Sequence, residues 1–150
     1  MFQTTMDSPV GLLRVTEEGG AITRVTWGQG REDDTPLLRR AVQQLKEYFA
    51  GDREDFDLPL RVEGSDFQRA VCDAMLAIPF GYTRTYGEIA KDLGVPAQAV
   101  GGACGGNPIP IIIPCHRVMG AKGLTGFSGR GGVETKVALL RHEGAAGLLI

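Results

Sequence analysis

The sequence lacks the features that mark metal-binding, disulfide-stabilised and membrane-spanning proteins. It has only three cysteines and two histidines, with no Cys-x-x-Cys pair, so the ligand sets of structural zinc sites are missing. No run approaches the roughly 20 apolar residues that a membrane span needs. The opening MFQTTMDSPV carries neither the basic stretch nor the apolar run of a signal peptide. We therefore expect a cytoplasmic protein with free thiols, no metal and no membrane partner.

An excess of positive charge is also missing, which argues against a strongly basic nucleic-acid-binding protein. The formal net charge is -2 and the sequence pI is about 5.7. Residues 1–62 hold eight Lys and Arg against eleven Asp and Glu, whereas residues 63–150 hold eight against seven. A polyanion would therefore be expected to meet the second part, at a local site.

The chain of 150 residues, 43% of them hydrophobic, is long enough for one domain or two small ones. Residues 12–16 and 22–27 alternate as strands do, and residues 17–20 fit a hairpin turn between them. Apolar spacing predicts a helix over 34–50. We place a domain boundary near residues 61–64, which gives domains over 1–62 and 63–150.

The second half is expected to be mainly helical. Ser65 can cap a helix over 65–77, and Thr85 with Glu88 forms a capping box for a helix over 86–93. A turn over 94–96 then leads into a helix over 97–105, so the pair is either a helix-turn-helix or an ordinary helical hairpin. Gly101 and Gly102 each cost a helix about 1 kcal/mol. We expect close packing against another helix to explain them, with approach to a DNA backbone as the alternative.

Residues 107–118 are the segment in which we expect chemistry. Three prolines frame a run of isoleucines, which predicts extended, buried backbone that is neither a helix nor a central strand. Cys115 follows this run, directly before His116. An imidazole can activate a thiol, and because adjacent side chains rarely hydrogen-bond directly, we expect a bridging water. The alternative is a core thiol that only packs.

A last helix is predicted over 133–143, with Val133, Val137 and Leu140 facing inward. Glu143 lies in its last turn, where the helix dipole disfavours a carboxylate by about 0.3–1 kcal/mol. A compensating contact with a buried His116 is one expectation, and exposure to solvent is the other. The glycine-rich residues 119–132 form either a ligand-facing loop or a surface loop.

Several runs over residues 65–144 together resemble the O6-alkylguanine-DNA alkyltransferases, and the N-terminal 60 residues resemble the small α/β domain of that family more weakly. The matching runs are Asp66-Phe67-Gln68, Ile78-Pro79-Phe80-Gly81, Thr85-Tyr86-Gly87-Glu88-Ile89-Ala90, Ala99-Val100-Gly101-Gly102-Ala103, Gly106-Asn107-Pro108-Ile109-Pro110, Pro114-Cys115-His116-Arg117-Val118, Leu124-Thr125-Gly126-Phe127-Ser128-Gly129 and Leu139-Leu140-Arg141-His142-Glu143-Gly144. The resemblance implies an α+β fold. It has a ribonuclease H-like N-terminal α/β domain and a mainly helical C-terminal domain with a helix-turn-helix.

The resemblance also implies a DNA-repair reaction without a cofactor. A monomer would bind double-stranded DNA, flip out an O6-alkylguanine and move its alkyl group irreversibly onto Cys115, once per protein molecule. His116 would take the thiol proton through water, and Glu143 would orient His116. Tyr86 would donate a proton to the departing guanine, and Asn107 would brace the site.

Further roles follow from the same match. The lesion would be bound by the carbonyls of Cys115 and Val118, the ring of Phe127 and the Ser128 N–H. DNA would be contacted by Gln98, Ala99, Gly102 and Arg130.

Gln98 departs from the family pattern, which usually has at this position an arginine that wedges into the base stack. The turn before it is about two residues short, and the loop around Arg130 is about two residues long. Two hypotheses stay open: Gln98 fills the stack without charge and binding or flipping is weakened, or Arg130 supplies the missing charge.

Two other functions are carried as alternatives. A non-catalytic lesion-binding relative would fit the missing arginine, although such relatives replace the cysteine that this chain keeps. A cysteine hydrolase built on Cys115 and His116 would turn over many times, but nothing outside the dyad supports it.

Overall fold

The computed structural model describes residues 1–120 and 132–145. The first half forms an antiparallel sheet in chain order from β1 (Phe2–Ser8), β2 (Gly11–Glu18) and β3 (Ala21–Trp27). Helix α1 (Pro36–Phe49) packs against β1 and β2. It begins one residue after Thr35, whose hydroxyl accepts from the Leu38 N–H at 3.0 Å, so the predicted start at residue 34 was slightly early.

Strand β1 was not predicted from the sequence. Its residues, FQTTMDS, include only one buried side chain, Met6. The alternation that reveals a half-buried strand is therefore too weak to read. What makes β1 a strand is its pairing along the whole edge of β2, from Phe2 opposite Glu17 to Ser8 opposite Gly11.

The second half contains α2 (Asp66–Leu76), α3 (Tyr86–Leu93), α4 (Ala97–Gly105) and α5 (Val133–Glu143). Two short parallel strands, β4 (Arg84–Thr85) and β5 (Val118–Met119), tie the start of α3 to the segment that carries Cys115. The mixed α+β fold that we expected is confirmed. Among the described residues, no helix has the length and apolar character that crossing a membrane requires.

The predicted helix-turn-helix is present as α3, a turn and α4. Thr85 accepts from the Glu88 N–H at 3.1 Å, and Glu88 accepts from the Thr85 N–H at 2.8 Å, which is the predicted capping box. Gly94 ends α3 in the left-handed region, at φ 68°, where a glycine is least strained. The local signals therefore set both ends of α3.

The expectation that Gly101 and Gly102 serve close helix packing was wrong. A Cβ added at either position would meet no heavy atom within 4 Å among the described residues. Both glycines lie in the middle of α4, and Gly102 is exposed. Approach of another molecule is the alternative that remains for these two positions.

The inward face predicted for α5 was right at Leu140 and wrong at Val133 and Val137. Val133 is exposed and Val137 is only half-buried, whereas Lys136, Leu139, Leu140 and Glu143 are buried. The buried face thus contains two ionisable side chains. A pattern search that looks for apolar residues alone cannot find such a face.

The two halves are joined through the edge of β3. The Val25 N–H donates to the Pro108 carbonyl at 3.0 Å. Within the first half, Ile22 on the same strand bonds in both directions with the backbone of residues 59 and 61. One cluster of buried apolar side chains continues from the sheet and α1 into α2 and the 107–118 segment. This shared core fixes the segment between the two halves.

Candidate active site

The 107–118 segment is buried, as its isoleucines predicted, but the expected extended backbone was wrong: the segment folds into a closed loop that ends in a short 3-10 turn. Asn107 closes it from inside: its Nδ2 donates to the Ile113 carbonyl at 2.9 Å, and its Oδ1 accepts from the Ile109 N–H at 3.0 Å. Residues 109–118 are all buried. Ile111 lies at φ 73°, a conformation that is rare for a β-branched residue and strained by roughly 1–3 kcal/mol.

Cys115 begins a short 3-10 turn, Cys115–Arg117, at the end of this loop. Only 5% of the residue is exposed. Burial raises the pKa of the Cys115 thiol to about 11, while a hydrogen bond with Asn107 and the charge of Lys136 oppose the rise. At neutral pH the resting group is therefore a thiol, and it needs a base to become a nucleophile.

His116 is completely buried and lies against Glu143, with 2.8 Å between Nε2 and Oε2. Hydrogen bonds with His116 and Arg117 hold the pKa of Glu143 down to about 2 despite burial, so the carboxylate is ionised. An ionised carboxylate only accepts hydrogen bonds, so Nε2 carries the proton and donates it. In the neutral ring, Nδ1 then keeps its lone pair, and it has no hydrogen-bond partner among the described residues.

Arg117 braces the same carboxylate from a second direction. Its Nε and Nη2 donate to the two oxygens of Glu143 at 2.8 and 2.9 Å, and its Nη1 donates to the Ile78 carbonyl at 2.7 Å. Glu143 carries a full charge inside the protein, and the bidentate contact with the Arg117 guanidinium compensates the loss of solvation on burial. Sequence reasoning gave Arg117 no role, although its position directly after Cys115-His116 was the available signal.

Lys136 is a second side chain that sequence reasoning missed. It is only 1% exposed, its Nζ donates to the Val118 carbonyl at 2.5 Å, and it lies 5.8 Å from the centre of the Tyr86 ring. Burial lowers its pKa. Lys136 precedes Glu143 by seven residues, which is two helical turns, so both side chains point from one face of α5 toward the Cys115 segment.

The carbonyls of Cys115 and Val118, which the resemblance assigned to the lesion, each already accept one hydrogen bond. The Cys115 carbonyl accepts from the Val118 N–H, and the Val118 carbonyl accepts from Lys136. A carbonyl oxygen has a second lone pair, so both can still accept from a ligand.

The residues expected to contact DNA lie on α4. Gln98 and Gly102 are exposed and Ala99 is half-buried. Phe127, Ser128 and Arg130, the remaining members of the predicted site, lie outside the described residues. The structure therefore brings together Cys115, His116, Glu143 and Asn107, and it places the Val118 carbonyl and the Tyr86 ring close to Lys136 Nζ.

The other two cysteines, Cys72 and Cys104, are buried and free. Burial raises the pKa of each thiol, that of Cys104 to about 12. Neither is next to a histidine in the sequence, whereas Cys115 directly precedes His116, whose ring is held by Glu143.

Comparison with known proteins gives one consistent result. Residues 66–145 match the family described as "6-O-methylguanine DNA methyltransferase, DNA binding domain", and residues 1–62 match its "ribonuclease-like domain". The methylated-DNA–protein-cysteine methyltransferase of Mycobacterium tuberculosis is 47% identical over 150 residues, which cover 93% of this chain and 90% of that protein. The protein of the same name from Methanosarcina acetivorans is 40% identical, with 97% and 99% covered.

Solved structures agree with these sequence matches. The crystal structure of the Mycobacterium tuberculosis O6-methylguanine methyltransferase has a TM-score of 0.85 and 44% identity, covering 95% of this chain and 92% of that one. A crystal structure of the same organism's protein in complex with DNA gives a TM-score of 0.85 and 45% identity, with the same coverage.

Proposed function

This chain belongs to the 6-O-methylguanine DNA methyltransferase family and repairs DNA by alkyl transfer; from that premise we propose that Cys115 is the residue that accepts the alkyl group. The observation that carries the proposal is the His116–Glu143 pair. It leaves Nδ1 unprotonated and without a hydrogen-bond partner among the described residues, so the residue that follows Cys115 in the sequence has a free basic atom. Neither Cys72 nor Cys104 is next to a histidine in the sequence.

The proposed reaction begins with loss of the thiol proton. Nδ1 of His116 takes the proton of Cys115 through a water molecule, and Glu143 stabilises the imidazolium that forms. The thiolate attacks the alkyl carbon, the C–S bond forms, and the bond between carbon and the guanine 6-oxygen breaks. Tyr86 donates a proton to the departing guanine. The thioether that results has no thiol-reducible bond, so each protein molecule reacts once.

Two groups assist this sequence through charge and geometry. The buried ammonium of Lys136 lies between the Val118 carbonyl and the Tyr86 ring, where it favours a thiolate nearby. Asn107 holds the loop that presents Cys115. We assign lesion binding to the Cys115 and Val118 carbonyls together with Phe127 and Ser128.

The proposed partner is double-stranded DNA that contains O6-alkylguanine, bound by a monomer in the cytoplasm. The surface of α4 that carries Gln98, Ala99 and Gly102 would lie on the DNA, because Gly101 and Gly102 leave room for a backbone. Flipping a base costs a few kcal/mol. Gln98 can fill the space that the flipped base leaves in the stack, but it adds no charge. Arg130 is the candidate for supplying the positive charge.

We propose residues 1–62 as one domain and residues 63–150 as the domain that binds DNA and holds Cys115. Tyr48 in α1 donates a hydrogen bond to Glu143, so the first domain contributes a residue to the proposed reactive site.

A second candidate is a lesion-binding protein that does not react. The observation in its favour is Gln98, which lacks the charge that the family usually places in the base stack. Both candidates bind alkylated DNA, so binding alone does not separate them.

The two candidates are distinguished by the intact mass of the protein. It is measured after incubation with a duplex that contains one O6-methylguanine. Transfer adds one methylene to the protein, and peptide mapping should place it on the peptide with Cys115. A Cys104→Ala variant is the matched control, since it removes another buried thiol and should still gain the methyl group. A protein that binds the duplex and keeps its mass would be the non-catalytic binder, and a methyl group on another cysteine would refute the assignment to Cys115.

A further inference from the structure

The carboxylate of Glu143 also receives a hydrogen bond from the first half of the chain. Tyr48, in the last turn of α1, is completely buried, and its hydroxyl donates to Glu143 Oε2 at 2.6 Å. The Tyr48 carbonyl accepts from His142 Nε2 at 2.6 Å. Two consecutive residues of α5 thus hold one tyrosine by its hydroxyl and by its backbone.

The Tyr48 ring is fixed as well as the hydroxyl. It makes an edge-on contact with Phe80, with ring centres 6.2 Å apart, and with His142, at 4.8 Å. A ring held on several sides cannot swing its hydroxyl away from Glu143. The hydrogen bond is therefore a permanent part of the site rather than one of several rotamers.

The two carboxylate oxygens of Glu143 accept different numbers of hydrogen bonds. Among the described residues, Oε1 accepts only from Arg117 Nε, whereas Oε2 accepts from Arg117 Nη2, His116 Nε2 and the Tyr48 hydroxyl. A donor to a carboxylate oxygen draws charge toward itself and weakens that oxygen as an acceptor for the others. Tyr48 and His116 therefore compete for the charge on one atom.

We propose that Tyr48 is a positioning residue for alkyl transfer, through which the N-terminal domain sets the basicity of His116 by way of Glu143. The proposal rests on the function proposed above. Among the described residues, the Tyr48 hydroxyl hydrogen-bonds to neither the Cys115 thiol nor His116, so it acts only through the carboxylate.

The other groups around His116 stay in place when only the hydroxyl of Tyr48 is removed. Burial lowers the pKa of His116 below its ordinary value; among the described residues Glu143 opposes this shift, and the charges of Arg117 and Lys136 add to it. Arg117 belongs to the same turn as His116, and Lys136 and Glu143 come from α5. Cys115 is a neutral thiol at rest.

The direction of the effect follows from this arrangement. Without the hydroxyl, more of the Glu143 charge is available to the imidazole, so the pKa of His116 should rise by about one pH unit. His116 acts as a base only when it is neutral. The acidic limb of the pH–rate profile should therefore move to higher pH by the same amount.

The first test is the single-turnover transfer rate of Tyr48→Phe as a function of pH. Phenylalanine keeps the ring and removes the one oxygen. Tyr82→Phe, which makes the same change at a side chain that is 66% exposed, is the matched control. A shift of the acidic limb in Tyr48→Phe alone supports the proposal. A rate that falls by one factor at all pH values, with the limb unmoved, overturns it, since lost packing would do that.

The second test reads His116 directly and does not need Tyr48→Phe to fold. The chain has two histidines and three tyrosines. In a Tyr82→Phe, Tyr86→Phe background, replacing tyrosine by 3-fluorotyrosine changes Tyr48 alone and makes it a stronger donor. The NMR titration of His116, with His142 as the internal reference, should then move to lower pH. An unchanged or raised His116 pKa would overturn the proposal.

The two proposals fail in different ways. If the wild-type protein binds the lesion and never gains the methyl group, the proposed function fails, while the NMR titration still decides whether Tyr48 controls His116. If the wild type is alkylated and neither test shows the shift, only the role of Tyr48 is lost.

Discussion

Replacing Glu143 by glutamine should cost the protein both stability and reactivity, because one carboxylate holds Arg117, His116 and Tyr48 together. Glutamine offers a single acceptor oxygen and turns an NH2 group toward donors. Arg117, whose side chain is 7% exposed, would then be left without a counter-ion. Breaking a buried ion pair on one side costs about 3–5 kcal/mol.

The pKa of Glu143 gives an independent value of similar size. A carboxyl group whose pKa falls from its ordinary 4.5 to about 2 on folding contributes about 3 kcal/mol to the free energy of unfolding at neutral pH. Because the pKa is lower in the folded state, this contribution is present above about pH 4.5 and is lost as the pH falls toward 2. By pH 3 roughly half or more of it should be gone.

Urea unfolding of wild type and Glu143→Gln at pH 7 and pH 3 measures this difference. We expect about 3 kcal/mol between the two at pH 7 and a clearly smaller gap at pH 3, because glutamine does not titrate. Glu134→Gln, at an exposed position in the first turn of the same helix, is the matched control and should show neither effect.

The same preparation should transfer the alkyl group about 100-fold more slowly, since His116 loses the partner that fixes its tautomer and stabilises its charged form. Glu143→Gln is expected to lower stability as well as rate, because Glu143 also pairs with Arg117. A loss of both would therefore fit a His116 that takes the proton and a His116 that only packs. Equal stability of wild type and Glu143→Gln at pH 7 would refute the reasoning, because it would mean that Arg117 and His116 do not depend on this carboxylate.

Three further predictions concern the reaction itself. Cys115→Ser should lose alkyl transfer and keep binding to methylated DNA, because a serine hydroxyl is far less ionised than a thiol. If the mass of the variant showed transfer at near wild-type rate, the acceptor would be another residue. With lesion DNA in excess, repaired lesion per protein should level off near one equivalent, and a linear rise beyond that would favour a hydrolase. Gln98→Arg should raise the single-turnover rate more on duplex than on single strands, where no flip is needed. An equal gain in rate on both substrates would mean that the arginine adds only electrostatic attraction to DNA. No gain on either would mean that Arg130 or the shortened turn already fills the role of the wedging arginine.

The sequence alone determined the elements whose signals lie within a few neighbouring residues. Thr85 and Glu88 cap α3 and Gly94 ends it, and the predicted bounds of α3, α4 and α5 agree with the structure. The prolines of the 107–118 segment likewise exclude an α-helix by themselves. Each of these features is a local steric or hydrogen-bonding rule, so it can be read without knowing what the segment packs against.

Only the tertiary structure decided which side chains meet at Cys115. The contact of Glu143 with His116 was one of two open expectations, while the contacts with Arg117 and Tyr48 and the burial of Lys136 were not foreseen. Tyr48 and Glu143 are 95 residues apart. An ionisable side chain is stable inside a protein only when its partners are there too, and those partners come from distant parts of the chain. For this reason the buried face of α5 holds Lys136 and Glu143 beside its two leucines, Leu139 and Leu140.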